Sequence, residues 1–197
     1  MAWVSVAVKL NLGCGPRPIP GYLNIDSVAS FAPDRVIDLE RTPWDLPTGG
    51  AEEVLLNHVL EHLGASTDTF LAVMTELYRV CADGALIRIN VPHPLHLHFR
   101  TDPSHVRRIT PQTLSMFSRA DCDQAAAVSS PMTPWAHILN VNFELASVQY
   151  IVDARTRELL ETKGLLAPGD RLEDFAEIYN NLIEEIRIEL IVRKATT

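Results

Sequence analysis

The sequence predicts an α/β fold: a mostly parallel seven-stranded sheet with an antiparallel edge strand and helices on both faces. Three observations carry this. Short apolar, β-rich runs alternate with helical periodicity through the first half of the chain. The run at 85–91 is nearly continuous and apolar, as in parallel strands buried on both faces. At the end, Ile186, Ile188, Leu190 and Val192 alternate with Arg187, Glu189 and Arg193, the pattern of a half-exposed antiparallel edge strand.

The elements follow in order. A first strand over 6–12 stops at Gly13-Cys14-Gly15-Pro16. Only six residues separate Gly15 from Tyr22, and Pro16, Pro18 and Pro20 exclude a regular helix among them. A parallel crossover ordinarily takes a dozen or more residues, so this one must be a tight loop. The second strand, 22–25, ends at Asp26, and the third, 35–37, ends at Asp38. The fourth covers 53–56. Ser66, Thr67 or Asp68 then caps a helix whose apolar face is Phe70, Leu71, Met74, Leu77 and Tyr78. Asp83-Gly84 ends that segment before the fifth strand. A Pro- and His-rich loop fills 92–109. Thr110 followed by Pro111 starts the next helix, with Leu114 and Phe117 inward. The sixth strand is 143–152. Asp170 caps a last helix with Leu172, Phe175, Ile178, Tyr179, Leu182 and Ile183 on one face, within a helical insertion over 154–184.

The composition narrows the function. The chain has 197 residues, 47% hydrophobic and 21% charged, as expected of a single globular domain over 1–197. Its net charge of −8 makes it a poor partner for nucleic acid. No apolar run approaches the roughly 18 residues of a membrane span, and the N-terminus lacks the pattern of a signal peptide. Cys14, Cys81 and Cys122 are odd in number and widely spaced, which points to a reducing compartment and a cytoplasmic location. Between His93 and Arg119, Arg100, Arg107, Arg108 and Arg119 face one acidic residue, Asp102. That local excess suits an anionic small molecule. An apolar helical face in the insertion leaves a homo-oligomer open.

Five motifs carry chemistry. Leu10-Asn11-Leu12-Gly13-Cys14-Gly15 ends the first strand, where glycines let a ligand approach the backbone. Asp26 ends the second strand, placed to accept hydrogen bonds from both ribose hydroxyls of a nucleoside. Asp38-Leu39 with Trp44-Asp45-Leu46-Pro47 follows the third. Asn57-His58-Val59-Leu60-Glu61-His62 follows the fourth, and Arg79-Val80-Cys81-Ala82-Asp83-Gly84 precedes the fifth.

In this order and spacing, residues 8–92 resemble the small class I S-adenosylmethionine-dependent methyltransferases of the type 11 kind. The resemblance implies a Rossmann-like methyltransferase fold and S-adenosyl-L-methionine as cofactor. It makes 1–92 the cofactor-binding half and 93–197 the acceptor-side half. It further implies that backbone around Asn11, Gly13 and Gly15 holds the methionine part and that Asp26 binds the ribose. Asp38 and Leu39 would flank the adenine, and Asn57 and His58 would line the sulfonium side. The prolyl crossover departs from the family, whose members usually carry a helix there. A dinucleotide is disfavoured, because Gly13-Cys14-Gly15-Pro16 lacks the third glycine and the phosphate-binding helix N-terminus.

The expected reaction is methyl transfer to a small-molecule acceptor, with O-methylation the leading form. A hydroxyl acceptor needs a base, and His93 and His96 follow the fifth strand at the ligand edge, making them the candidate catalytic residues. No resident metal is expected in that reading. Two alternatives remain: a non-catalytic S-adenosylmethionine-binding accessory protein, and a metal-dependent enzyme using the loop from His93 to His105. In the latter His93, His96 and His98 are the candidate ligands. Glu61-His62 reads as a helix-start pair hydrogen-bonded to the loop after the fifth strand.

Overall fold

A computed structural model describes residues 8–167, 169–170, 174–175 and 178–194. Seven strands form one sheet: β1 Val8–Leu12, β2 Leu23–Asp26, β3 Arg35–Val36, β4 Ala51–Asn57, β5 Cys81–Pro92, β6 Phe143–Val152 and β7 Ile183–Val192. Their spatial order is β3-β2-β1-β4-β5-β7-β6. Every neighbouring pair is parallel except those made by β7, which runs antiparallel to both β5 and β6. The mostly parallel seven-stranded sheet is therefore the expected one. The antiparallel strand, however, lies one place in from the edge, and β6 closes the sheet. Its apolar–charged alternation reports an open sheet face, because Ile186, Ile188 and Leu190 are buried while Arg187 and Glu189 point to the opposite side.

Helices are α1 Thr67–Val80, α2 Leu97–Thr101, α3 Pro111–Ser115, α4 Arg119–Ala127, α5 Trp135–Ile138 and α6 Ala154–Thr162. Ser66 caps α1, its hydroxyl accepting from the Thr69 amide at 3.1 Å. Thr110 caps α3 ahead of Pro111 in the same way. Leu12, Ile25, Val54, Leu56, Ile87, Ile89 and Ile188 form one face of the sheet. They share a single core with Phe70, Val73, Met74 and Leu77 of α1, with Leu114 of α3, and with Phe117.

Among the described residues, the other face of the sheet is polar. Across β1, β4, β5, β7 and β6 it carries a ladder of polar side chains. Lys9 pairs with Glu53 at 2.8 Å, and Tyr22 donates to Glu53 at 2.7 Å. Arg88 bridges Glu53 and Glu189, and Ser147 donates to Glu189 at 3.0 Å. Lys9 and Asn11 of β1, Glu53 and Asn57 of β4, Arg88 and Asn90 of β5, and Arg187 and Glu189 of β7 share this face, and an apolar helix could not cover them without stranding these groups. The prolyl crossover is helix-free, as predicted. It is fixed by Asn24, whose Oδ1 accepts from the Ile19 amide at 2.8 Å.

The insertion opens with α6, capped by Asp153, whose Oδ1 accepts from the Thr156 amide at 2.7 Å. Of the helix expected from Asp170, residues 171–173 and 176–177 lie outside the described residues, and 178–182 are not helical. Asp174 and Phe175 are helical, Leu172 lies outside the described residues, and Ile178 is 71% exposed. Leu182 and Ile183 are buried against Leu160 and Leu166 in a small second core, with Ile183 already in β7. The insertion thus packs on the ends of β6 and β7.

Candidate cofactor cleft

The carboxyl ends of β1, β2, β3 and β4 surround a cleft of about 660 Å³. Gly13, Asp26, Val28, Phe31, Ile37, Asp38, Leu39, Glu40, His58, Val59, His62 and Ser104 are among the residues lining it. It sits beside β1, where chain connections diverge to β2 on one side and β4 on the other. Ligands collect at such switch points in open α/β sheets.

Local geometry explains the first turn. Gly13 has a φ of +68°, and a Cβ there would lie 2.5 Å from Val59 Cγ2. Only glycine fits both the backbone and the packing. Gly15 has a φ of +55° with open space around it, so conformation alone selects it. The Gly15 amide donates to Asp26 Oδ2 at 2.8 Å, and the Val28 amide donates to Asp26 Oδ1 at 2.9 Å. Two backbone N–H groups thus hold the Asp26 carboxylate at the lip of the cleft, each oxygen keeping further acceptor capacity.

The other implied residues divide. Asp38 and Leu39 line the cleft. Asp38 accepts from the Glu40 amide at 3.0 Å and pairs with Arg41 at 3.1 Å, while Leu39 is buried. His58 also lines it, in the left-handed region at φ +55°, with Nε2 2.8 Å from Glu185. Contact with Glu61, together with the charges of Glu61 and Glu185, raises its pKa above the usual histidine value, against the effect of burial. Asn11 and Asn57 are not among the lining residues. Asn11 donates to Asn24 at 2.9 Å, and Asn57 accepts from Asn90 at 2.9 Å. Both side chains belong to the sheet's polar face, because the pleat sends alternate residues to opposite sides.

The histidines after β5 are placed differently from the expectation of a base or metal site. His96 is 4% exposed and caps α2, Nδ1 accepting from the His98 amide at 3.1 Å. Burial lowers its pKa. His93 Nδ1 accepts from the Leu95 amide at 3.3 Å, its ring meets Tyr150 edge-on, and burial lowers its pKa as well. Neither lines the cleft. His98 packs edge-on against His96, but His93, His96 and His98 do not converge as ligands. Among the described residues, the three-ligand group is instead Glu61, His62 and His105. Sequence reasoning missed Glu40, whose Oε1 accepts from the Gly64 amide at 2.6 Å on the cleft wall. It missed Ser104 too, 3.0 Å from His62 Nδ1. Neither has a signal in the sequence, since each reaches the cleft through a partner distant along the chain.

No family model matches the chain, and no curated protein matches it. Solved structures do. A SAM dependent methyltransferase from Archaeoglobus fulgidus is 16% identical, with 94% of this chain and 86% of that chain covered, at a TM-score of 0.55. A 16S rRNA (adenine(1408)-N(1))-methyltransferase W203A mutant with cosubstrate SAM, from Catenulisporales acidiphilia, is 14% identical. It covers 97% of this chain and 88% of its own at 0.52. The Burkholderia thailandensis 1,6-didemethyltoxoflavin-N1-methyltransferase, with its substrate and S-adenosylhomocysteine, is 10% identical, covering 95% and 72% at 0.51. The chain has the Rossmann-like fold of class I S-adenosylmethionine-dependent methyltransferases.

Proposed function

We propose that this chain binds S-adenosyl-L-methionine in the cleft and transfers its methyl group to a small-molecule acceptor. The observation that carries this is the Asp26 carboxylate, held by the Gly15 and Val28 amides where a nucleoside ribose would offer two hydroxyls. The residues present fit the group. Val28, Phe31, Ile37 and Leu39 provide an apolar wall beside Asp26, and Asp38 stands next to Leu39. The Gly13 backbone is bare of a side chain at the end of β1. The fold neighbours include structures with S-adenosylmethionine or S-adenosylhomocysteine, and their acceptors range from rRNA to a small heterocycle.

When bound, the cofactor supplies a methyl group already activated on a sulfonium, so the chain's task is alignment and exclusion of water. Asp26 fixes the nucleoside, and the tight Gly13 turn sets its depth. His58 and His62 face the remaining space, where the acceptor enters. His93 and His96 are engaged elsewhere, so an O-methylation base would come from the cleft wall. The acidic chain favours a small acceptor over nucleic acid.

Calorimetric titration with S-adenosylmethionine and S-adenosylhomocysteine, on wild type and Asp26→Asn, tests this reading. Micromolar binding that weakens at least tenfold in the variant is expected, since each hydrogen bond to a charged group contributes about 1.5–3 kcal/mol. A folded wild-type protein that binds neither ligand removes the proposal.

A further inference from the structure

The Glu61 side chain is the anomaly of the molecule. The residue is 0% exposed, and neither carboxylate oxygen has a hydrogen-bond partner among the described residues. A buried carboxylate without hydrogen bonds is among the costliest groups a fold can carry. What surrounds it is a set of imidazoles. His58 Nδ1 lies 3.5 Å and His105 Nε2 3.9 Å from Glu61 Oε1, both too far for a charge-assisted hydrogen bond. One ligand atom from each of Glu61, His62 and His105 falls within 4.8 Å of the others.

We infer that Glu61, His62 and His105 hold a divalent transition-metal ion of the zinc class at the wall of the cleft. Two imidazoles and a carboxylate suit zinc, iron or manganese better than magnesium, which prefers oxygen ligands. Bonds of about 2.0–2.2 Å set tetrahedral ligand atoms roughly 3.4 Å apart, so the side chains need close only modestly.

The surroundings are those of an oriented ligand set. His105 Nδ1 is 2.9 Å from the Phe99 carbonyl oxygen, which places the proton there and leaves the Nε2 lone pair toward Glu61. The His105 ring stacks on Phe99 at 5.3 Å. The Glu61 carbonyl accepts from the Val106 and Arg107 amides at 2.9 and 3.0 Å, which locks the loop bearing His105 to the turn bearing Glu61 and His62. Asp102 Oδ2, 3.9 Å from His105 Nε2, adds a second carboxylate within reach.

Three protein ligands leave coordination positions open, and His62 and Ser104 line the cleft on that side. On the methyl-transfer reading, an acceptor oxygen would take one of them, which selects oxygen-bearing acceptors. The ion site itself does not depend on that reading.

The test uses the full chain, stripped with chelator and dialysed. Zn2+ is titrated by calorimetry, and Co2+ by its visible absorption. Wild type is compared with Glu61→Gln, His62→Gln, His105→Gln and the control His98→Gln, each checked for folding by circular dichroism. We expect one equivalent bound by wild type and by His98→Gln, with at least tenfold weaker binding in the three ligand variants. Zn2+ should raise the Tm of wild type and leave that of Glu61→Gln unmoved. Folded wild type without stoichiometric binding overturns the inference, as does binding undiminished in all three ligand variants. Titrating S-adenosylmethionine into the same samples separates the two proposals. Cofactor binding without metal binding refutes the ion site alone, and metal binding without cofactor binding refutes the methyl-transfer reading alone.

Discussion

The two halves of the sheet's carboxyl edge use their polar residues in opposite ways. Over β1 to β4, Gly13, Asp26, Asp38, His58 and His62 all reach one cleft. Over β5 to β7, Ser104 also reaches that cleft, but His96, Asp153 and Asn181 serve the architecture. His96 caps α2, Asp153 caps α6, and Asn181 Oδ1 accepts from the Leu97 amide at 2.7 Å, tying the loop to the insertion. Residue type alone does not separate the halves, since both carry histidines and carboxylates. What separates them is whether hydrogen-bonding capacity is already used within the fold.

Substitutions can break or sharpen this contrast. The largest effect should come from Gly13→Ala, which combines a left-handed φ with a Cβ 2.5 Å from Val59. A loss of about 2–4 kcal/mol is expected from strain and overpacking together. Gly15→Ala has open space and should lose only roughly 1–2 kcal/mol. Urea unfolding of both variants measures the difference, and equal losses would mean that Val59 yields.

Next comes His96→Ala. Loss of the cap and of a buried ring should lower stability by about 1–2 kcal/mol while cofactor affinity stays unchanged. A variant that keeps its stability but loses affinity for S-adenosylmethionine would abolish the contrast between the halves.

The smallest effect concerns Glu53, on the polar sheet face beneath both halves. Its hydrogen bond to Lys9 leads the effects that hold its pKa below the ordinary 4.5, against desolvation. A depressed carboxylate pKa means that the stabilisation is present above about pH 4.5 and is lost as pH falls through the lower folded value. Replacing it by Gln should flatten the acid limb of the stability profile. At pH 7 the cost should stay below about 1 kcal/mol, because its partners Lys9 and Arg88 are 44% and 43% exposed. An acid limb identical to wild type would show that the ladder contributes nothing.

The elements legible in the sequence are those with local causes. The Ser66 and Thr110 caps, the helix-free crossover at Pro16, Pro18 and Pro20, and the strand ending at Asp26 all formed as expected. The short helices α2, α4 and α5 were not anticipated, because their hydrophobic spacing is too brief to show a period. Asn11 and Asn57 sit in motifs but face the polar side of the sheet, since the pleat decides direction and the motif does not.

The sequence by itself therefore determined the strand order's raw material, the tight glycine turn and the carboxylate at the end of β2. Each depends on a few neighbouring residues and their allowed backbone conformations. Only the tertiary structure decided that β7 lies inside the sheet and that one face stays polar. It also decided that Glu61 is buried against His62 and His105, contacts that join segments over 40 residues apart. Such long-range meetings are fixed by how the sheet and its loops close, and no local pattern records them.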